Sequence, residues 1–391
     1  MSRVPVFIGF IFISLVFQGI IWRIPAQIPY SRVGVISVQD KLKPDEILLE
    51  YCITDSSLNI RAITDHANTV SQQKLVPVFW SLVTKFKRSL CIADPCGFSI
   101  PGHALYAFLI HPVKHLFPGK KRMIIVPGEE LFGLPFEALI CSKDPFHPFS
   151  DQNFRYLVQD FEIIYHYSVS KWAEKCMVIT KPDIEFLGFS PVFNRHPGLS
   201  PLPYSKKEIK SIAAMFKKKG LSSSLMCDQF SGKDCFKEVS GRGKIIHLAT
   251  HYLPPSLGHN CSGYLFWGYD PNSKTGFCPQ EILTQEEITN LKLNADLIVL
   301  SACSPGMIMT TAEMSYPSLS LSFFLAGARN ILYTLWNVTD ALANQIMVDF
   351  YRRCLSGKTY SQALREVKLN LIRKQETSLP TIWAPYVLTG Q

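Results

Sequence analysis

Two apolar runs in this chain end in residues that together can do covalent chemistry. Lys244-Ile245-Ile246-His247-Leu248-Ala249-Thr250-His251 closes on a histidine, and Leu297-Ile298-Val299-Leu300-Ser301-Ala302-Cys303 closes on a cysteine. Unbroken aliphatic stretches of this kind read as strands of a parallel sheet buried on both faces. The ends of such strands border the crevice in which open α/β sheets bind ligands. A thiol and an imidazole brought together there form a nucleophile pair: the imidazole takes the thiol proton, the thiolate attacks a carbonyl carbon, and the imidazolium protonates the leaving amine. Backbone N–H groups just beyond the two residues, at Tyr252 and at the Ser304-Pro305-Gly306 turn, offer donors for the oxyanion. The competing reading is a buried, inert thiol beside a core histidine.

Other candidate chemistries fail on particular residues. His103, His111 and His115 lack nearby cysteine or carboxylate companions for a metal. The pair His247 and His251 lacks the glutamate of a zincin, because Leu248 stands there, and two histidines four apart on a strand share no helix face. Gly357-Lys358-Thr359 has Arg352 where a phosphate loop needs its first glycine, and Gly188-Phe189-Ser190-Pro191-Val192 lacks the closing glycine of a nucleophile elbow. No cofactor and no metal are expected.

The 391 residues are 47% hydrophobic and only 18% charged, with a formal charge of +9, which describes a globular chain with ample core. The excess lysines fall in short clusters (Lys120-Lys121-Arg122, Lys206-Lys207, Lys217-Lys218-Lys219) without interleaved aromatics, so they read as solvated helix ends and not as a nucleic-acid face. Eleven cysteines, singly placed, argue against a disulfide framework and for a reducing compartment. The apolar run from Val4 to Trp22 pulls the other way: it suits a signal peptide or a membrane anchor as well as a buried start. Membrane contact is expected only through residues 4–22, and export or anchoring weighs equally with a cytoplasmic location.

The elements that must position His251 and Cys303 follow from periodicity. Ile47 to Ile53 and Leu58 to Ile63 flank an Asp55-Ser56-Ser57 turn as a hairpin. A helix is expected over Gln72 to Leu90, another over Leu105 to Phe117 broken at Pro112, then strands over Met123 to Val126 and Tyr156 to Tyr167. The second half opens with a strand at Ile184 to Ser190 and a helix at Ser205 to Lys219, apolar at Ile209, Ile212, Ala213 and Phe216 and stopped by Gly220. A weaker strand near Leu225, a helix at Asp234 to Val239, the histidine strand, a short strand at Tyr264 to Trp267 and a capping box at Thr284 and Glu287 come next. After the cysteine strand come a loop over 307–316, a helix at Leu319 to Leu325 stopped by Gly327, a strand at Ile331 to Trp336, and helices at Ala341 to Leu355 and Ser361 to Lys374. Strand alternating with helix over 180–391 implies a parallel sheet covered on both faces.

The histidine and cysteine stretches above, taken together with the run from Gly327 to Asp340, resemble the CHAT domain family, caspase-like peptidases related to separase. The resemblance is carried by Ile246-His247-Leu248-Ala249-Thr250-His251, by Asp296 to Cys303, and by Gly327-Ala328-Arg329-Asn330-Ile331-Leu332-Tyr333-Thr334-Leu335-Trp336-Asn337-Val338-Thr339-Asp340. Ile125-Val126-Pro127 with Leu134-Pro135-Phe136-Glu137-Ala138-Leu139, Leu202-Pro203 and the terminal Trp383 to Gly390 extend it over about residues 40 to 391. It implies an α/β, caspase-like fold in which 31–180 form a degenerate supporting half and 181–391 the catalytic half, preceded by the apolar segment 1–30. It further implies a cysteine endopeptidase with His251 and Cys303 as its dyad, His247 structural, Asp340 capping the helix that follows, a protein or peptide as substrate, and a repeat protein in another chain as regulatory partner. A catalytically inactive scaffold of the same fold is the alternative. The sequence departs from the family pattern at Tyr252, where glycine is usual, at Pro305, where threonine is common, and at Ala312-Glu313-Met314, which stands for Gly-Glu-Gly.

Overall fold

In the computed structural model, which describes residues 38–142, 154–173, 182–191, 202–227, 231–253, 264–266, 282–301 and 316–390, the aliphatic runs align in one eleven-stranded sheet. Its first strands are β1 (Glu46–Ile53), β2 (Ser57–Ile63), β3 (Asn68–Lys74) and β4 (Arg122–Val126). A separate ribbon pairs β5 (Ile140–Ser142) with β6 (Arg155–Tyr156), and β7 (Glu162–Tyr165) returns to the main sheet beside β4. The second half supplies β8 (Ile184–Ser190), β9 (Ser223–Cys227) and β10 (Gly243–Leu248). A small antiparallel sheet follows, built of β11 (His251–Leu253), β12 (Tyr264–Phe266) and β13 (Ile282–Thr284); β14 (Leu297–Leu300), β15 (Asn330–Thr334) and β16 (Tyr386–Thr389) then complete the main sheet.

The order across the main sheet is β3-β2-β1-β4-β7-β16-β15-β14-β10-β8-β9. The last strand of the chain therefore closes the seam, antiparallel to β15 and parallel to β7. Strands β15, β14, β10, β8 and β9 are parallel neighbours, the arrangement expected from strand–helix alternation.

Helices named below are α1 (Val78–Cys91), α2 (Pro95–Leu109), α3 (Ser205–Lys218), α4 (Tyr316–Leu325), α5 (Asp340–Cys354) and α6 (Tyr360–Ile372). They sort onto the two faces by strand alternation. Ile298 and Leu300 of β14 join Phe79 and Phe86 of α1, Leu105 of α2 and Phe323 of α4 in one core. Leu297 and Val299 turn the other way, into a core with Phe216 of α3, Met347 and Phe350 of α5 and Leu364 of α6. Each such aliphatic side chain contributes about 1.5–3 kcal/mol on full burial, so β14 is held from both sides by four fully buried residues in succession.

Several expected bounds shift for local reasons. Gln72 to Lys74 belong to β3, an edge strand whose residues alternate between exposed and half-buried, and the helix begins only after Pro77. Instead of one helix broken at Pro112, α2 ends at Leu109 and a 3-10 turn, His111–Leu116, carries the proline where its missing N–H is not needed. Within Tyr156 to Tyr167 a single helical turn, Leu157–Asp160, interrupts the extended chain; the Gln159 side chain accepts a hydrogen bond from Tyr156 N at 2.7 Å and fixes its start. The helix expected from Leu319 begins at Tyr316, and the strand expected to reach Trp336 ends at Thr334. The stop at Gly220 holds: its φ is +72°, where a side chain would be strained. No helix among the described residues is long and apolar enough to cross a membrane; the apolar run 4–22 lies outside them.

Candidate functional site

The strands that carry the two candidate residues are neighbours. β10 and β14 pair in parallel with His247 opposite Val299 and Leu248 opposite Leu300. β10 does not run on to His251 as one strand. Ala249 N still donates to Phe189 O of β8 at 2.9 Å, but after the buried Thr250 the chain leaves the main sheet, and His251 opens β11, where it lies opposite Phe266 of β12. The His251 side chain is 2% exposed, so an ionisable ring sits almost fully desolvated at the carboxyl end of the parallel strands. Tyr252 follows in β11, opposite Leu265. Cys303, Ser304 and Gly306 lie outside the described residues, as does Pro305; β14 ends at Leu300, and Ser301 is the last described residue before them.

His247 lies inside β10, fully buried, with both ring nitrogens engaged. Nε2 lies 2.7 Å from Glu208 Oε1 of α3, and Nδ1 lies 3.1 Å from the Tyr351 hydroxyl of α5. Burial holds the Tyr351 hydroxyl far above its ordinary pKa, so it acts as a neutral hydroxyl in this network. Three elements are thereby tied together by polar contacts within an apolar layer, and both nitrogens that a metal would need are already used. His247, with both nitrogens held in this way, directly precedes the segment that carries His251.

Asp340 serves differently from the helix cap expected of it. Thr339 holds the N-cap position of α5, and Asp340 is the first helical residue. Its Oδ2 accepts a hydrogen bond from Tyr204 N at 2.6 Å, which fixes the chain entering α3. Burial raises the Asp340 pKa; the Tyr204 N–H opposes this, and the nearby Glu208 charge adds to it.

Periodicity could have revealed Glu208: it falls on the apolar stripe of α3 beside Ile209 and Ile212, where a carboxylate must find a partner. Glu137, in the Leu-Pro-Phe-Glu-Ala-Leu stretch, is buried in the same sense. Its Oε1 lies 2.9 Å from Lys368 Nζ of α6, its Oε2 accepts from the Tyr165 hydroxyl, and each charged side chain is 2% exposed. The Tyr165 hydroxyl in turn accepts from Phe136 N at 2.9 Å. Burial lowers the Lys368 pKa against the pull of Glu137, and burial together with the Glu137 charge raises that of Tyr165.

Comparison with known proteins places this arrangement. The family model described as "CHAT domain" matches residues 99–391. Tetratricopeptide repeat protein 28 of Homo sapiens is 32% identical over 220 residues, covering 49% of this chain and 8% of that protein. The Mus musculus protein of the same name is 30% identical over 116 residues, covering 29% of this chain and 5% of that protein. The chain thus spans less than a tenth of the length of the curated relatives it matches. Among solved structures, two crystal structures of the Saccharomyces cerevisiae separase–securin complex cover 90% of this chain and 30% and 31% of theirs, with TM-scores of 0.51 and 0.50 at 10% identity. At that identity the likeness speaks for the fold, which is caspase-like: a mixed α/β structure with a large, mostly parallel sheet flanked by helices.

Proposed function

The chain belongs to the CHAT domain family, and from that premise we propose that it is a cysteine endopeptidase in which Cys303 is the nucleophile and His251 its general base and acid. The observation that carries this reading is register. Leu248 and Leu300 are partners on adjacent parallel strands, and His251 and Cys303 each come three residues further along the chain. Neighbouring strands lie about 4.8 Å apart and three residues span at most about 10 Å, so the two side chains can meet without unpairing the sheet. His251 would take the thiol proton as the Cys303 sulfur bonds to the carbonyl carbon of a peptide. The backbone N–H groups of Tyr252, Ser304 and Gly306 would hold the oxyanion, and the imidazolium would return its proton to the leaving amine. Water then hydrolyses the thioester with His251 as base. Residues 181–391 would supply this machinery and 31–180 the supporting half, with His247 and Asp340 holding the surrounding elements.

The substrate would be a protein or peptide, and a repeat protein is the regulatory partner that this reading favours, since the curated relatives are named for tetratricopeptide repeats. The test is cleavage of a peptide library by the purified chain, alone and with candidate partners. Turnover lost in both Cys303→Ala and His251→Ala, with folding retained, supports the dyad. Tyr252 and Pro305, which stand where the resemblance expects glycine and threonine, favour a second reading as an inactive scaffold. Stoichiometric binding of a partner that neither substitution alters, with no cleavage, would establish it.

A further inference from the structure

Among the described residues the main sheet ends in two edge strands, β3 and β9, and they are guarded differently. Edges are ordinarily protected by charge, proline, bulges or cover, because an unpaired strand invites another chain. β3 is polar except for Val70 and ends in Lys74. β9, Ser223-Ser224-Leu225-Met226-Cys227, has neither charge nor proline, and its register with β8 is unbroken. Among the described residues it pairs with β8 alone. Phe186 N of β8 donates to Ser222 O at 3.2 Å, so the ladder uses the backbone of Ser222; alternation then points the N–H and C=O of Ser223 and Leu225 away from β8. Leu225 packs into the core under α3, whereas Met226 packs into the core on the opposite face.

Helix α3 runs alongside this edge. Ile209, Ile212, Ala213 and Phe216 seat it on the sheet, and Glu208 leans inward to His247 of β10, away from β9. At about 100° per residue the flank opposite Glu208 carries Lys206, Lys210 and Lys217, and Lys207 and Lys218 follow on the outer surface. Glu208 is the sole carboxylate of the helix, and it is spent on His247. Lys210 and Lys217 therefore have no carboxylate of their own helix beside them, and they overhang a strand that carries neither charge nor proline.

We propose that β9 is a docking edge for an acidic, extended segment of a protein partner, which adds to the sheet as one more strand. Main-chain pairing with Ser223 and Leu225 would supply affinity, and side-chain alternation would supply the choice of sequence. Every second side chain of the added strand falls on the α3 side, beneath Lys210 and Lys217, and these are carboxylates. The intervening ones fall on the side of Met226 and are apolar.

The test uses the full chain and a fluorescein-labelled nonapeptide alternating Glu and Val, with binding read by fluorescence anisotropy. Saturable binding is expected. Lys210→Glu/Lys217→Glu should weaken it about tenfold by turning two weak attractions into repulsions. Both lysines are exposed, so the variant's thermal unfolding should match that of the native chain. A peptide N-methylated at alternate amides keeps its charge but cannot complete the ladder, and it should not bind. The proposal is overturned by equal binding to the double variant, by undiminished binding of the N-methylated peptide, by absence of saturation, or by displacement of the peptide by oligothymidine of equal charge. Self-association of the native chain that the peptide cannot reverse would assign the edge to a second copy and overturn it as well.

Discussion

Removing the charge of Glu137 without changing its shape should destabilise the chain strongly at pH 7 and far less at pH 9. At 2.9 Å and an effective dielectric constant of about 20, Lys368 and Glu137 attract by about 6 kcal/mol, which offsets a desolvation cost of several kcal/mol for each ion. Glu137→Gln leaves a lysine that is 2% exposed with no counter-charge, and the expected loss is about 3–5 kcal/mol. The loss has a ceiling, because Lys368 can shed its proton. From its ordinary 10.5, staying neutral costs about 5 kcal/mol at pH 7 and about 2 kcal/mol at pH 9. The sign follows from proton counts: the unfolded variant binds a proton that the folded variant lacks, so its stability rises with pH up to about 10.5. Urea unfolding of native chain, Glu137→Gln, Lys368→Met and the double variant at pH 7, 8 and 9 measures this. The double variant should recover most of the loss, since neither charge is left unpaired. A pH-independent loss under about 1 kcal/mol for Glu137→Gln, or a double variant no better than either single one, would refute the reasoning.

Further outcomes are expected for four other substitutions. His247→Leu strands Glu208, which is 1% exposed, and should cost about 3–5 kcal/mol in urea unfolding, whereas Tyr351→Phe removes one hydrogen bond and should cost about 1 kcal/mol. Gly327→Ala places a Cβ 2.4 Å from Leu293 O at a φ of +112° and should cost about 2 kcal/mol or more by the same measurement. At Glu287 burial opposes ionisation, yet the bonds from Lys237, Thr284 N–H and Lys233 outweigh it and hold the pKa at about 2. Its stabilising contribution is therefore complete above its usual 4.5 and lost as pH falls from there toward 2, and Glu287→Gln should remove that part of the acid dependence of Tm.

Much of this architecture is legible in the sequence, because a buried parallel strand advertises itself. Leu297 to Leu300 and Phe186 to Phe189 carry no polar side chain and are buried on both faces, as strands of a covered parallel sheet are. The capping box at Thr284 and Glu287 forms as its spacing predicts, with Glu287 N donating to Thr284 Oγ1 at 3.2 Å. What hides is non-local. Asn68–Lys74 shows no apolar alternation because its half-buried face is made of Thr69, Ser71 and Gln73, while Val70 falls on the exposed one. The transfer of His251 to β11 depends on Phe266, in a strand that local periodicity does not link to it. Glu137 stands in a recognisable stretch, but its partner is 231 positions away, and no spacing rule reaches that far.

The pH dependence of alkylation at Cys303, mapped by mass spectrometry in the native chain and in His251→Ala, tests the dyad most directly. An imidazole paired with the thiol should lower its pKa by about 2 units from about 8.5, so native Cys303 reacts readily with iodoacetamide at pH 6 and His251→Ala slows it there by about 100-fold. A Cys303 that titrates as an ordinary thiol in both proteins would contradict the account.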